Sequence, residues 1–191
     1  MVNPDFKYKN IPVQQVPAAF DRFADFLQEN KFDYVLEIGS SYGGLSLFLH
    51  EQSEVHGFTF ITFDITKNRV KRYWDGEVPF KMVIGDCFED AVKNEIIDIL
   101  ENHKVLLLCD GGNKKGEFNM FSPYINEDSY IMAHDYAPDR KTFKAEYKDK
   151  IWNWMEIQDS DVKEGLKFVE KSKYYETFRN VAWISCSKKK V

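Results

Sequence analysis

The run Val105-Leu-Leu-Leu-Cys109, followed at once by Asp110-Gly-Gly112, constrains the fold more than any other stretch. Five consecutive apolar residues without alternation fit a strand buried on both faces, as at the centre of a parallel sheet. The acid and two glycines mark its exit into a turn. A second unit of the same kind lies upstream. Tyr34, Val35, Leu36 and Ile38 read as a short buried strand, and Gly39-Ser-Ser-Tyr-Gly-Gly44 as a tight turn entering a helix at Leu45. Glycines there let the backbone bend sharply and approach a ligand where a β-carbon would intrude. The first N–H groups of the helix would point back at that ligand. Strand, glycine turn and helix together make a nucleotide-cofactor cradle.

Elsewhere the apolar pattern switches between the strand and helix periods. Pro17 opens a helix that places Phe20, Phe23, Ala24 and Leu27 on one side. Strands are expected over 57–64, 80–84 and 129–133. Helices are expected around Val92, Ile96, Ile99 and Leu100, and over 117–124. Residues 1–15 look irregular, 68–79 a short helix and loop, and 140–150 a loop or irregular helix. Trp152 and Trp154 are expected to pack on the core or to cap the site. Asp161 and Glu164 form a capping box for a helix over 162–171. Segments 174–178 and 181–185 pair as an antiparallel hairpin turned at Arg179-Asn180. Five strands alternating with helices, then a hairpin, make an α/β fold with a doubly wound sheet. At 191 residues, 1–191 is expected to be a single domain.

Composition narrows the function. A net charge of −5 and scattered lysines argue against a nucleic-acid surface. Cys87, Cys109 and Cys186 are too few and too dispersed for a disulfide framework or a zinc site. They read as buried thiols in a reducing compartment. No signal-peptide core and no long apolar span is evident, so no membrane partner and a cytoplasmic location are expected.

In open α/β sheets, ligands sit outside the carboxyl ends of the strands, and acids cluster at those ends here. Asp64, closing the second strand, is placed to accept hydrogen bonds from ribose hydroxyls or to cap the segment that follows. The order Glu37-x-Gly39-x-x-x-Gly43 differs from the G-x-G-x-x-G of a dinucleotide site. Glu37 would repel a pyrophosphate but could help hold an ammonium group. A nicotinamide dehydrogenase is therefore disfavoured. An oxygenase centre of two histidines and a carboxylate is not evident among His50, His56, His103 and His134.

Glu37, Gly39 and Gly43, then Asp64, Asp86, Asp110 and Asp135, all at expected strand ends, resemble the class I S-adenosylmethionine (SAM) methyltransferases. The resemblance covers nearly the whole chain and implies a Rossmann-like seven-stranded methyltransferase sheet closed by a C-terminal antiparallel hairpin. It implies SAM as cofactor, held by Glu37, Gly39, Ser40, Gly43, Asp64, Asp86 and Cys87. In that family the Asp of the Gly85-Asp86 pair meets the adenine amino group. More narrowly, Asp110-Gly-Gly-Asn-Lys114 with Ile131-Met-Ala-His-Asp135 is similar to the cephalosporin-hydroxylase-like and macrocin O-methyltransferase-like group, and more distantly to catechol-type O-methyltransferases. There, acids after the fourth and fifth strands hold Mg²⁺, which here implies Asp110 and Asp135. Two positions depart from the group. His134 stands where a further acidic or amide ligand is usual, and Asn113 where a base is usual, with Lys114 one residue later.

The expected activity is O-methylation of a small polyhydroxylated acceptor such as a sugar. Asp110, Lys114, His134 and Asp135 form the reactive group, with His134 and Lys114 as the candidate bases. A SAM-binding module without catalysis, or a subunit of a complex, is the alternative. A homo-oligomer is compatible with so short a chain.

Overall fold

The computed structural model describes residues 6–74 and 76–190. The first five positions of the expected irregular segment lie outside the described residues. The rest of that segment is only partly irregular. β1 (Lys7–Tyr8) and β2 (Ile11–Pro12) form a small antiparallel hairpin.

After α1 (Ala18–Glu29) come β3 (Tyr34–Ile38), α2 (Gly44–His56), β4 (Thr59–Asp64) and β5 (Lys81–Ile84). Then follow α3 (Asp90–Asn102), β6 (Val105–Cys109), α4 (Lys114–Phe121), β7 (Tyr130–Ala133) and the one-turn α5 (Arg140–Thr142). The chain ends with β8 (Val169–Lys171), α6 (Tyr175–Arg179) and β9 (Ile184–Lys188). Seven strands form one sheet in the order β5-β4-β3-β6-β7-β9-β8. The first five run parallel, while β9 pairs antiparallel with both β7 and β8.

Strand alternation divides the core between the two faces. Val35, Phe60, Leu106, Leu108 and Met132 face α1, α2 and Phe178 of α6. Leu36, Ile61, Phe63, Leu107 and Ile131 face α3 and α4. β6 is wholly buried, as its unbroken apolar sequence requires. The expected faces of α1 and α3 are also present. Phe20, Phe23 and Leu27 are buried in the first, and Val92, Ile96, Ile99 and Leu100 in the second.

The C-terminal quarter departs from expectation. Residues 162–171 hold a 3₁₀ turn (Gly165–Lys167) and then β8, not a helix. The capping box joins Gln158 and Asp161 instead, one turn earlier. Residues 174–178 are mostly helical, and the final strand begins at Ile184. The expected antiparallel pair is therefore β8 with β9, joined through α6 rather than a two-residue turn. Cys87, Cys109 and Cys186 are free and buried. Among the described residues no helix is long and apolar enough to cross a membrane.

Candidate active site

β3 and β6 are adjacent, and their tips converge at Gly39 and Asp110. Gly39 has φ +95°, and a β-carbon on it would lie 2.3 Å from the backbone oxygen of Asp110. Its glycine character thus lets the two strand tips touch. Gly43, at φ +86°, opens α2 in the left-handed region, and a β-carbon there would meet the Trp74 indole nitrogen at 3.1 Å.

Beneath this turn lies a closed polar knot. Ser46 Oγ and Thr62 Oγ1 donate to Glu37 Oε2 at 2.5 and 2.7 Å, and Ser40 Oγ meets Thr62 Oγ1 at 2.6 Å. Glu37 is 1 % exposed, and its Oε1 has no partner. Burial pushes its carboxyl up to about 8 against those hydrogen bonds. Glu37 and Ser40 accordingly brace the turn from below rather than reaching toward the open edge. Cys87 is likewise buried in the core, its thiol pushed up to about 12 by burial.

The open edge is formed by the tips of β4 and β5. Asp64 Oδ2 accepts from Ser41 N at 3.3 Å and Oδ1 from Thr66 N at 3.0 Å, so it ties the glycine turn to β4. Asp86 Oδ1 accepts from Phe88 N at 2.9 Å. Each carboxylate keeps lone pairs free. Beside them, Ile65 is 71 % and Phe88 38 % exposed. Two acids flanked by two uncovered apolar side chains form an amphipathic ledge.

At the tips of β6 and β7 the structure brings Asp110, Lys114, His134 and Asp135 together. His134 Nδ1 lies 3.1 Å from Asp110 Oδ1 and 3.6 Å from Asp135 Oδ1. Its ring lies between Trp183 and Trp152, with centroids 4.8 and 5.1 Å away, and its Nε2 is buried without a partner. Burial disfavours its charge, but the Asp110 and Asp135 carboxylates outweigh burial and raise its basicity. Burial raises the Asp110 carboxyl too, against the pull of His134 and Lys114. Asp135 itself adopts φ +57°, and Trp152 Nε1 donates to its Oδ1 at 2.5 Å. A non-glycine residue in this region marks local strain held by its surroundings.

Lys114 Nζ lies 3.0 Å from Glu156 Oε2, 3.1 Å from Asp135 Oδ2 and 3.7 Å from Asp110 Oδ1. Burial works against this ammonium, yet the three carboxylates prevail and hold it above its ordinary value. A cation so held is a poor proton acceptor, which corrects the expectation that Lys114 is a base. Its geometry is that of a counter-ion.

Several site residues carry no motif. Gln15, 3 % exposed, donates from Nε2 to Asp110 Oδ2 at 2.7 Å and accepts from Trp183 Nε1 at 2.9 Å. Glu117 takes N–H groups from Gly111 and Asn113 at 3.2 and 3.1 Å, clamping the turn after β6, and burial pushes its carboxyl up to about 7. Glu156 and Trp152 come from the segment between β7 and β8. Glu117 alone carried a readable signal, an acid in the first turn of a helix.

A parallel sheet with an antiparallel C-terminal pair, carrying acids at successive strand tips, defines a Rossmann-like fold of the methyltransferase kind. It is similar to the apo structure described as CmcI-N160, with a TM-score of 0.69 and 11 % identity over 98 % of this chain and 78 % of that one. A CmcI-D160 structure described as Mg-SAM gives 0.66 and 12 % over the same shares. A Staphylococcus aureus structure described as a caffeoyl-CoA O-methyltransferase gives 0.55 and 13 %, covering 95 % of this chain and 87 % of that one. These likenesses are of fold. No curated protein sequence matches significantly. The family described as rhamnosyl O-methyltransferase/CmcI matches residues 1–176, and the chain belongs to it.

Proposed function

We propose that this protein transfers a methyl group from SAM to a hydroxyl of a small polyhydroxylated acceptor such as a sugar. The observation that carries this reading is the convergence of Asp110, Lys114, His134 and Asp135 beside the glycine turn, in a chain of an O-methyltransferase family. Bound SAM supplies a methyl group already activated by its sulfonium, so the protein's work is positioning and proton removal. CmcI, a relative in fold and family, is described with both SAM and magnesium.

The ledge at the tips of β4 and β5 fits an adenosyl group. Asp64 takes the ribose hydroxyls, Asp86 the adenine amino group, and Ile65 with Phe88 the apolar faces of the base. His134 holds its Nδ1 toward Asp110, which leaves Nε2 as the nitrogen able to take the acceptor's proton. Gln15 and Trp152 hold Asp110 and Asp135 in place around it.

Asp110, His134 and Asp135 each offer one atom within 4.8 Å of the others, a donor set that fits a divalent cation. Two carboxylates suit Mg²⁺ or Mn²⁺, while the imidazole is a more usual ligand of softer ions such as Fe²⁺ or Zn²⁺. Such an ion, when bound, would lower the acceptor hydroxyl's pKa. Lys114 would then rest on Glu156 alone.

Variants of His134 and Asp64 separate the two halves of the reading. His134→Ala is expected to lower kcat by about 100-fold or more while leaving SAM affinity intact. Asp64→Ala is expected to weaken SAM binding by about 10- to 100-fold in calorimetry, the scale of charge-assisted hydrogen bonds. Unchanged turnover in the first variant removes His134 from the chemistry. Wild-type affinity in the second removes the ribose assignment. SAM binding with no transfer to any acceptor would favour a non-catalytic module.

A further inference from the structure

We propose that Trp152 is the gate of the reactive group. Its indole, latched to Asp135, closes off His134 Nε2, and an acceptor reaches that nitrogen when the strap of residues 148–156 swings outward. This rests on the reading of His134 as the base and deepens it.

A base must come within about 2.6–3.2 Å of the oxygen whose proton it takes. His134 is 2 % exposed, and its Nε2 is buried without a partner. The closed site therefore leaves an acceptor no path to that nitrogen. A buried nitrogen lacking a hydrogen bond is also an unfavourable feature of the closed state, which a hydroxyl donating to it would relieve.

Two indoles wall the imidazole, and they differ in freedom. Trp183 is wholly buried, packs edge-on against Phe23 at 5.3 Å and donates to Gln15. It is part of the core and stays in place. Trp152 is partly buried and stands on a stretch with no helix or strand, between the buried Tyr147 and Ile157. Lys148, Asp149, Lys150 and Asn153 of that stretch are exposed. Trp152 rather than Trp154 is the tryptophan that caps the reactive group, since Trp154 is 61 % exposed.

Backbone bonds pin the strap at both ends, from Ile151 N to the Tyr147 carbonyl at 2.7 Å and from Ile157 N to the Asp135 carbonyl at 3.2 Å. Two side chains hold it shut across the site. Trp152 Nε1 donates to Asp135 Oδ1 at 2.5 Å, and Glu156 Oε2 accepts from Lys114 Nζ at 3.0 Å. The latch oxygen is the one that faces His134 Nδ1 at 3.6 Å. An acceptor hydroxyl arriving there competes with the indole for it. Such a ligand favours the open state over the closed one, the differential affinity that a population shift requires. Closure around bound reactants would then exclude water.

The test uses the full chain without SAM or acceptor. The probe is diethyl pyrocarbonate, which acylates accessible, unprotonated imidazole nitrogens, and each histidine is read by peptide mass spectrometry. In the wild type His134 should react at least about tenfold more slowly than the half-buried His50. Trp152→Phe keeps a ring over the imidazole but loses the latch. It should speed reaction at His134 by about tenfold, the scale of one hydrogen bond to a charged group. Trp152→Ala should speed it further. His103, which precedes β6 at the sheet's amino edge, should react equally in all three proteins. A wild-type His134 as reactive as His50, or equal His134 rates in wild type and Trp152→Ala, would overturn the gate. A Trp152→Phe rate equal to wild type would overturn the latch. A matching rise at His103 would mean loosened packing and would overturn the proposal too. None of these outcomes touches the base assignment, which fails separately if His134→Ala keeps full turnover.

Discussion

Glu37 Oε2 takes two hydroxyl hydrogen bonds, while Oε1, equally buried, takes none. Burial outweighs those two bonds and pushes its carboxyl up to about 8 in the folded chain, against 4.5 for the free group. Between those values the native protein keeps a proton that the unfolded chain has released. Stability must fall as pH rises through this window and level off above it. At about 1.4 kcal/mol for each pH unit crossed, the loss is of order a few kcal/mol. Glu37→Gln keeps an acceptor for Ser46 and Thr62 and removes the titration. Its thermal midpoint is expected to vary less than that of the wild type between pH 5 and 8. Parallel curves for the two proteins would show that Glu37 ionises normally. Lys114 makes the opposite case, a charge that the site needs. Removing it leaves Asp110, Asp135 and Glu156 with no ammonium between them. Carboxylate oxygens of Asp110 and Asp135 lie within 4.8 Å of each other, and two like charges at about 4 Å repel by about 4 kcal/mol at an effective dielectric near 20. Lys114→Ala is therefore expected to lose stability and to bind Mn²⁺ at least about tenfold more tightly than wild type in calorimetry. Equal affinity would mean that the ammonium and the cation do not share the carboxylates.

The segment after β2 is an element whose importance its sequence conceals. Val13 and the backbone of Ile11 and Pro12 press on Gly44, where a β-carbon would lie 2.5 Å from Val13 Cγ2. Gln14 accepts from Ser41 Oγ, and Gln15 joins Trp183 to Asp110. Gln15→Ala strands the Trp183 N–H and one Asp110 oxygen, a cost of about 1–3 kcal/mol. The denaturant midpoint should fall accordingly, and kcat should fall with SAM affinity retained. A variant equal to wild type in both would show that the bridge is idle. A lone glutamine has no periodicity and no partner within its own helix or strand, so nothing local flags it. α1 and α3 were legible for the converse reason, since each buries a face whose period is written in its residues, and β6 because its unbroken apolar run leaves no polar face. The acids at the strand tips were legible because β6 and β7 end where their apolar runs end. Residues 174–178 were not. Their aromatics favour a strand in isolation, but Phe178 turns helical to pack on Phe23 and Phe26, with centroids 5.0 and 5.4 Å away. That contact lies with α1, far off in sequence, and tertiary packing overrode local preference.

At the scale of the whole molecule, the sheet's carboxyl edge divides into two stretches. The tips of β3, β4 and β5 present the glycine turn and the amphipathic ledge; those of β6 and β7 present Asp110, Lys114, Asp135 and His134, the last proposed to take the acceptor's proton. The β8–β9 pair extends the opposite flank of the sheet. This division makes a prediction that needs no acceptor. The amides of Ser41 and Thr66 donate to Asp64, and that of Phe88 to Asp86, the two carboxylates assigned to the adenosyl group. Exchange at these amides requires local opening of short turns, which costs less than opening the buried strands behind them. A ligand that binds only the closed turns stabilises them by its own free energy, about 2.7 kcal/mol at a concentration 100 times Kd. S-adenosylhomocysteine, which lacks the reactive methyl, should therefore slow hydrogen exchange by about 100-fold around Ser41, Thr66 and Phe88. Exchange in β8 and β9 should change little. Protection confined to β8 and β9, or none at any of the three turns under saturating ligand, would mean that the adenosyl group binds elsewhere or not at all.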